Sequence, residues 1–207
     1  AVIDEQHRFG VEQRDALKSK AVTPPHLLVM TATPIPRTVA MTVFGDLDVS
    51  TLRELTLGRQ PITTHVIPVV EKPAFLERAW QRIREEVALG HQAYVVAPRI
   101  AAGTSEDADI DFLMGETTTV LASVEELGPQ LQSGELKGLR VAPLHGRQSA
   151  EVKDATMKAF ADKEIDVLIS TTVIEVGVDI PNATVMVIMD ADRFGVSQLH
   201  QLRGRVG

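Results

Sequence analysis

The chain has 207 residues, 44% hydrophobic and 24% charged, with a net charge of −7 and no cysteine. That is more than one typical domain and less than two large ones, in ordinary globular proportions. Disulfides, thiolate metal sites and thiol nucleophiles are excluded within these residues, and no apolar run reaches the roughly eighteen residues of a membrane-spanning helix. The acidic balance argues against a broad, non-specific nucleic-acid surface, though a local groove needs only a few well-placed cations or backbone N–H groups. No basic stretch followed by an apolar core opens the chain, so no secretory signal is expected, and the protein is expected to be cytoplasmic. A start on Ala1 inside a strand-like run suggests a piece of a longer protein.

Short β-branched runs alternate with longer helical stretches, the pattern of an α/β fold with parallel sheets flanked by helices. The first predicted strand, Ala1–Asp4, runs into Asp4-Glu5-Gln6-His7. A second, Leu27–Thr31, leads into Thr31-Ala32-Thr33-Pro34-Ile35-Pro36, where Pro36 suits the first turn of a helix over Arg37–Phe44. Leu57–Thr64, punctuated by Gly58 and Pro61, reads as a connector. We therefore expect one domain over 1–58, a linker over 59–64 and a second domain over 65–207. The second domain opens on a predicted strand at His65–Val70 and a helix at Phe75–Leu89, stopped by Gly90. After a strand at Gln92–Ala97 comes an acidic, cation-free stretch, Ala101–Glu116. It reads as a solvated loop, because it lacks the glycine and terminal glutamate spacing of a calcium loop. Strands at Arg140–Leu144, Asp166–Ser170 and Thr184–Met189 follow, with helices at Ser149–Phe160 and Val196–Leu202. The nearly continuous apolar runs of the last two strands are those of strands buried on both faces.

Four segments could carry chemistry. Adjacent carboxylates at a strand's C-terminal end, Asp4 and Glu5, suit a nucleotide triphosphatase, one holding Mg²⁺ through water and the other activating an attacking water. Thr31 and Thr33 could bond those carboxylates, or simply cap a proline-rich turn. Ser170, Thr171 and Thr172 could meet a phosphate, Gly177 would allow close approach and Asp179 could hold a ribose or an arginine; a capped turn with a structural acid is the plainer alternative. Arg203 and Arg205, flanking Gly204, could stabilise charge on a transferring phosphoryl group, or end a helix favoured by its dipole.

In chain order these segments resemble motifs II to VI of superfamily 2 helicases. The blocks Asp4–Val11, Met30–Thr38, Leu144-His145-Gly146-Arg147 and Asp190-Ala191-Asp192-Arg193-Phe194-Gly195 are similar to the RecG family within it. The related transcription-repair coupling factors share the Thr31–Thr38 block, while His7 and Asp46-Leu47-Asp48 favour RecG. The resemblance implies RecA-like motor domains, the first incomplete, in an ATP-dependent double-stranded DNA translocase. Such enzymes remodel stalled forks and Holliday junctions during recombination and repair. It implies ATP and Mg²⁺ as cofactors, and branched double-stranded DNA and single-stranded DNA-binding protein as partners of a monomer. By the same resemblance Asp4 carries the Mg²⁺-associated carboxylate and Glu5 the base. Gln6, His7, Thr31, Thr33 and Arg203 couple hydrolysis to movement, and Ser170, Thr171 and Thr172 lie near DNA backbone. Glu175, Gly177 and Asp179 lie nearer the nucleotide, Gln201 opens motif VI, and Arg205 is an arginine finger.

The Gly-x-x-x-x-Gly-Lys-Ser/Thr phosphate cradle is absent from these 207 residues. The family's fork-splitting wedge is expected upstream of Ala1 and its translocation hairpin downstream of Gly207. The isolated chain is therefore expected to be inactive. A non-catalytic RecA-like interaction module is the alternative, but such a module should have lost the chemistry that Asp4, Glu5 and Arg205 retain.

Overall fold

A computed structural model describes residues 2–3, 26, 28–31, 50–52, 61–101, 122–175 and 180–207, with Ile3, Val29 and Glu175 described by their backbone alone. Asp4, Glu5, Gln6, His7, Thr33, Gly177 and Asp179 lie outside the described residues, as do the side chain of Glu175, the helix expected at Arg37–Phe44 and the acidic stretch after Ala101. The chain forms two compact units, Ala1–Glu54 and Leu55–Gly207. In the first, strands β1 (Val2–Ile3) and β2 (Leu28–Val29) pair in parallel, Val2 opposite Leu28.

The second unit is built on four parallel strands, β3 (Gln92–Val96), β4 (Val141–Leu144), β5 (Val167–Ser170) and β6 (Ala183–Ile188), in the order β4-β5-β3-β6. The helices α1 (Pro73–Ala88), α2 (Val124–Ser133), α3 (Ala150–Ala161) and α4 (Val196–Arg203) surround them. Period-two alternation along β3 divides the core. Ala93, Val95 and Ala97 pack with Val167 and Ile169 of β5, Trp80 and Ile83 of α1, and Val124, Leu127 and Leu131 of α2. Tyr94 and Val96 pack on the other face with Leu168 of β5, Phe160 of α3, Leu202 of α4 and Val206. Helices thus cover both faces, which is why these strands carry no polar alternation.

Local chemistry sets the helix ends. Pro73 occupies the first turn of α1, where its missing N–H costs nothing, and Leu76, Trp80, Ile83 and Val87 form its inward stripe. Gly90, at φ +86°, turns the chain into β3. Ser149 caps α3 by accepting the Val152 N–H at 3.4 Å.

Two findings differ from the sequence expectation. His65–Val70 is not a strand: the backbone is irregular and exposed except at half-buried Ile67, then turns at Val69. Pro68 has no N–H for a ladder, and its carbonyl instead accepts from Glu71 and Lys72 at 3.1 and 2.8 Å, opening the turn into α1. Helix α2 is the element that the pattern did not announce. Gly128 and Pro129 sit inside it, and both are unfavourable in helix interiors. Burial of Val124, Leu127 and Leu131 overrides that local preference.

Candidate functional site

Because all four strands of the second unit are parallel, the segments that leave their C-terminal ends gather along one sheet edge, where open α/β sheets bind ligands. β5 delivers Ser170, Thr171 and Thr172 there. The Ser170 hydroxyl is fully buried and donates to the Thr171 carbonyl at 2.6 Å, and Thr171 is buried as well. Half-buried Thr172 then opens a 3-10 turn over Thr172–Glu175. Of the three hydroxyl residues it is the most accessible to a phosphate.

β4 delivers His145, Gly146 and exposed Arg147. Gln148 closes this turn, its Oε1 accepting the His145 N–H at 3.0 Å and its Nε2 donating to the Pro143 carbonyl at 3.2 Å. His145 Nδ1 is buried with no hydrogen-bond partner among the described residues. Beside it a groove of about 350 Å³ runs between α2 and β4, lined by Val124, Gly128, Pro129, Val141, Pro143 and His145 among others. β6 delivers Asp190, whose Oδ2 accepts the Ala122 N–H at 2.8 Å. His145 and Asp190 entered the sequence reading only within the family-like blocks and without a role, because the neighbours that make them notable are tertiary.

The arginines lie elsewhere. From Gly195 the chain runs back along β6, since the Gly207 N–H meets the carbonyl of Ala183, the first residue of that strand, at 3.4 Å. Leu202 and Val206 are buried in the second core, which leaves Arg203 exposed and Arg205 half-buried between them. α4 also packs against the Thr172–Glu175 turn, so half-buried Gln201 belongs to an element in contact with the hydroxyl-bearing segment. Thr31 is exposed just beyond β2 in the first unit.

The opposite sheet edge carries a dense polar network. Glu86, at the end of α1, is buried and accepts from the Thr184 hydroxyl at 2.7 Å, bonds His91 Nδ1 at 2.6 Å and pairs with Arg82. The Thr184 hydrogen bond, with His91 and Arg82, holds its carboxyl below the ordinary glutamate range, against the upward push of burial. Gln92 donates to the carbonyls of Phe160 and Ile165 and accepts from Asn182. For Asp166, burial pushes the carboxyl up, but hydrogen bonds from the Arg140 side chain and backbone outweigh it and leave the value lowered.

Among the described residues no group of three His, Asp or Glu is placed to hold a metal, and Asp4, the residue expected to carry Mg²⁺, lies outside them. For a nucleotide, Arg205 has the fitting chemistry: a permanently charged guanidinium on a half-buried turn between buried Leu202 and Val206.

A parallel sheet clad by helices, with hydroxyls at a strand end and arginines at and just after the end of a returning helix, fits the RecA-like architecture of a helicase motor. Residues 81–207 match the helicase conserved C-terminal domain, and the chain belongs to that family. All of the chain aligns with the ATP-dependent DNA helicase RecG of Mycobacterium tuberculosis at 65% identity over 208 residues, 27% of that protein's length. The RecG of Synechocystis is 52% identical over 206 residues, covering 23% of its length. The chain thus spans about a quarter of the curated relatives it matches. Among solved structures, RecG bound to a three-way DNA junction superposes over the full chain with a TM-score of 0.64 at 38% identity, covering 24% of that chain. Yeast Dbp5 bound to RNA and ADP BeF3 gives a TM-score of 0.56 at 17% identity over the full chain and 49% of its own, a likeness of fold alone.

Proposed function

We propose that this chain is part of an ATP-dependent DNA translocase of the RecG kind, acting on branched double-stranded DNA such as stalled forks and Holliday junctions. The observation that carries the reading is 65% identity extending over all of the chain, including every segment with candidate chemistry. The RecG structure on a three-way junction supports branched DNA as the substrate.

In this reading ATP supplies the free energy of translocation, and Asp4 would hold Mg²⁺ through its water shell. Glu5 orients the attacking water and takes its proton. Arg205 neutralises charge on the phosphates, while Gln201, Glu175, Gly177 and Asp179 line the nucleotide side. Thr172, with Ser170 and Thr171 behind it, faces the DNA backbone. Gln6, His7, Thr31, Thr33 and Arg203 couple the two. The working enzyme is a cytoplasmic bacterial monomer that meets single-stranded DNA-binding protein at forks.

The test is Glu5→Gln in the full-length protein. DNA-stimulated hydrolysis should fall by roughly two orders of magnitude or more, the scale of general-base catalysis, while nucleotide binding persists. A variant that still unwinds model forks at the wild-type rate removes Glu5 from the base role.

A further inference from the structure

Asp190 has two structural roles at once. Its backbone lies in the left-handed region, φ 47° and ψ 52°, where among the described residues Lys163 is the only other non-glycine at positive φ. A side chain there costs on the order of 1 kcal/mol that glycine would not incur. That conformation ends β6, whose hydrogen bond from the Met189 N–H to the Val96 carbonyl at 2.8 Å is followed by the reversal over 190–194. The reversal leads through buried Phe194 into α4 and so to Arg205. Gln198 secures the entry by accepting the Gly195 N–H at 3.0 Å.

The carboxylate meanwhile reaches 68 residues back to the Ala122 N–H at 2.8 Å. Ala122 lies two residues before α2, whose first N–H groups are themselves tied to the segment that leaves β3, Val124 to the Arg99 carbonyl and Glu125 to the Ile100 carbonyl, both at 2.9 Å. The ends of β3 and β6 and the start of α2 therefore form one hydrogen-bonded cluster, with Asp190 as the member that also launches the arginine-bearing return. Glycine would satisfy the backbone and leave Ala122 without this acceptor. Aspartate satisfies both.

We infer that Asp190 is a positioning residue that fixes the α4 segment, and hence Arg205, to the strand-end cluster at the start of α2. Its acceptor oxygen is the working feature: the negative charge strengthens the bond to the Ala122 N–H, but an amide oxygen at the same place also accepts it. The catalytic consequence rests on the proposed helicase function; the mechanical coupling does not.

The experiment compares Asp190→Gly, which keeps the left-handed turn and removes the acceptor, with Asp190→Asn, which keeps both. Hydrogen exchange on the 207-residue chain reads the coupling directly. In Asp190→Gly, amides of 122–126 and of α4 through Gly207 should exchange faster together, by about tenfold, while β5 amides stay unchanged; Asp190→Asn should restore both. Faster exchange confined to 122–126, or an Asn variant as impaired as Gly, overturns the inference. In the full-length protein Asp190→Gly should lower DNA-stimulated kcat about fivefold with KM for ATP unchanged, and Asn should recover it. A kcat unchanged in Asp190→Gly overturns the catalytic part. Coupled exchange in a protein whose wild type shows no DNA-stimulated turnover would instead overturn the helicase reading and leave the coupling standing.

Discussion

The two edges of the second sheet are built differently. At the N-terminal edge Glu86, Gln92, Asp166 and Asn182 are tied to partners on other segments, and the bonds link α1, α3 and the residues that lead into neighbouring strands. At the C-terminal edge, Asp190 with its bond to Ala122 apart, polar groups are held by short turns from their own segments, as with Ser170 on Thr171 and His145 with Gln148, and His145 Nδ1 has no partner among the described residues. The first arrangement removes alternatives to the native register. The second leaves the neighbouring Thr172 half-buried and Gly146 and Arg147 exposed, where a ligand can reach them. The edges should respond to mutation in different observables, stability at one and turnover at the other.

The arginine-bearing return offers the largest effect and the sharpest break in that comparison, since it ends beside the start of β6 and yet is assigned to turnover. Arg205→Ala in the full-length protein should lower DNA-stimulated kcat about a thousandfold, the scale of an arginine finger, and Arg205→Lys should recover little of it. The folding of the second unit should change far less than turnover does, because Leu202 and Val206 carry the apolar packing of the return. Trp80, the single tryptophan, is buried in the first core and reports that unit alone. A loss of turnover matched by an equal fall in the denaturation midpoint would make Arg205 a structural residue.

Gln92→Ala is the complementary case. It leaves the Phe160 and Ile165 carbonyls and the Asn182 amide each short of a partner, so the second unit should lose about 2 kcal/mol by urea denaturation followed at Trp80. Turnover per folded molecule should not change. Equal stability of the variant would mean that water replaces the amide at that edge, and the contrast between edges would be weaker than the hydrogen bonds indicate.

Much of this architecture is legible in local sequence pattern, and the exceptions are instructive. The apolar runs of β5 and β6, the stripe of α1, the Ser149 cap and the helix before Arg203 are all consequences of side-chain period and capping chemistry within a dozen residues. α2 is hidden because Gly128 and Pro129 lower its intrinsic preference, though Ser123 and Glu126 stand three apart at its start, linked at 2.8 Å. His65–Val70 carries apolar β-branched residues but also Pro68, whose missing donor outweighs them. Among the site residues, the hydroxyls and arginines can be picked from motif order. The inward turn of Ser170, the path of α4 back along β6 and the reach of Asp190 to Ala122 cannot, since each depends on where strands lie in the sheet rather than on neighbours in the chain. The roles that the family resemblance gives to Asp4 and Glu5 concern residues outside those described.

The smallest effect is the most diagnostic for the N-terminal edge, because it carries a pH signature. Glu86 has its ionised form favoured in the folded state by Thr184, His91 and Arg82, so its folded value lies below the ordinary 4.5. The contribution is therefore complete above that ordinary value and is lost as pH falls through the lower folded one. Glu86→Gln keeps the shape and an acceptor oxygen but places an amide where Arg82 and His91 expect an anion. At neutral pH the variant should be less stable by about 1 kcal/mol, measured at Trp80. On acidification the gap should close, since wild-type Glu86 then becomes a neutral acid too, while Asp166 and the other carboxylates titrate alike in both proteins and cancel. A gap that stays constant below the ordinary glutamate range would show that Glu86 acts there by shape alone, and that the edge owes its rigidity to Gln92 and Asn182 rather than to charge.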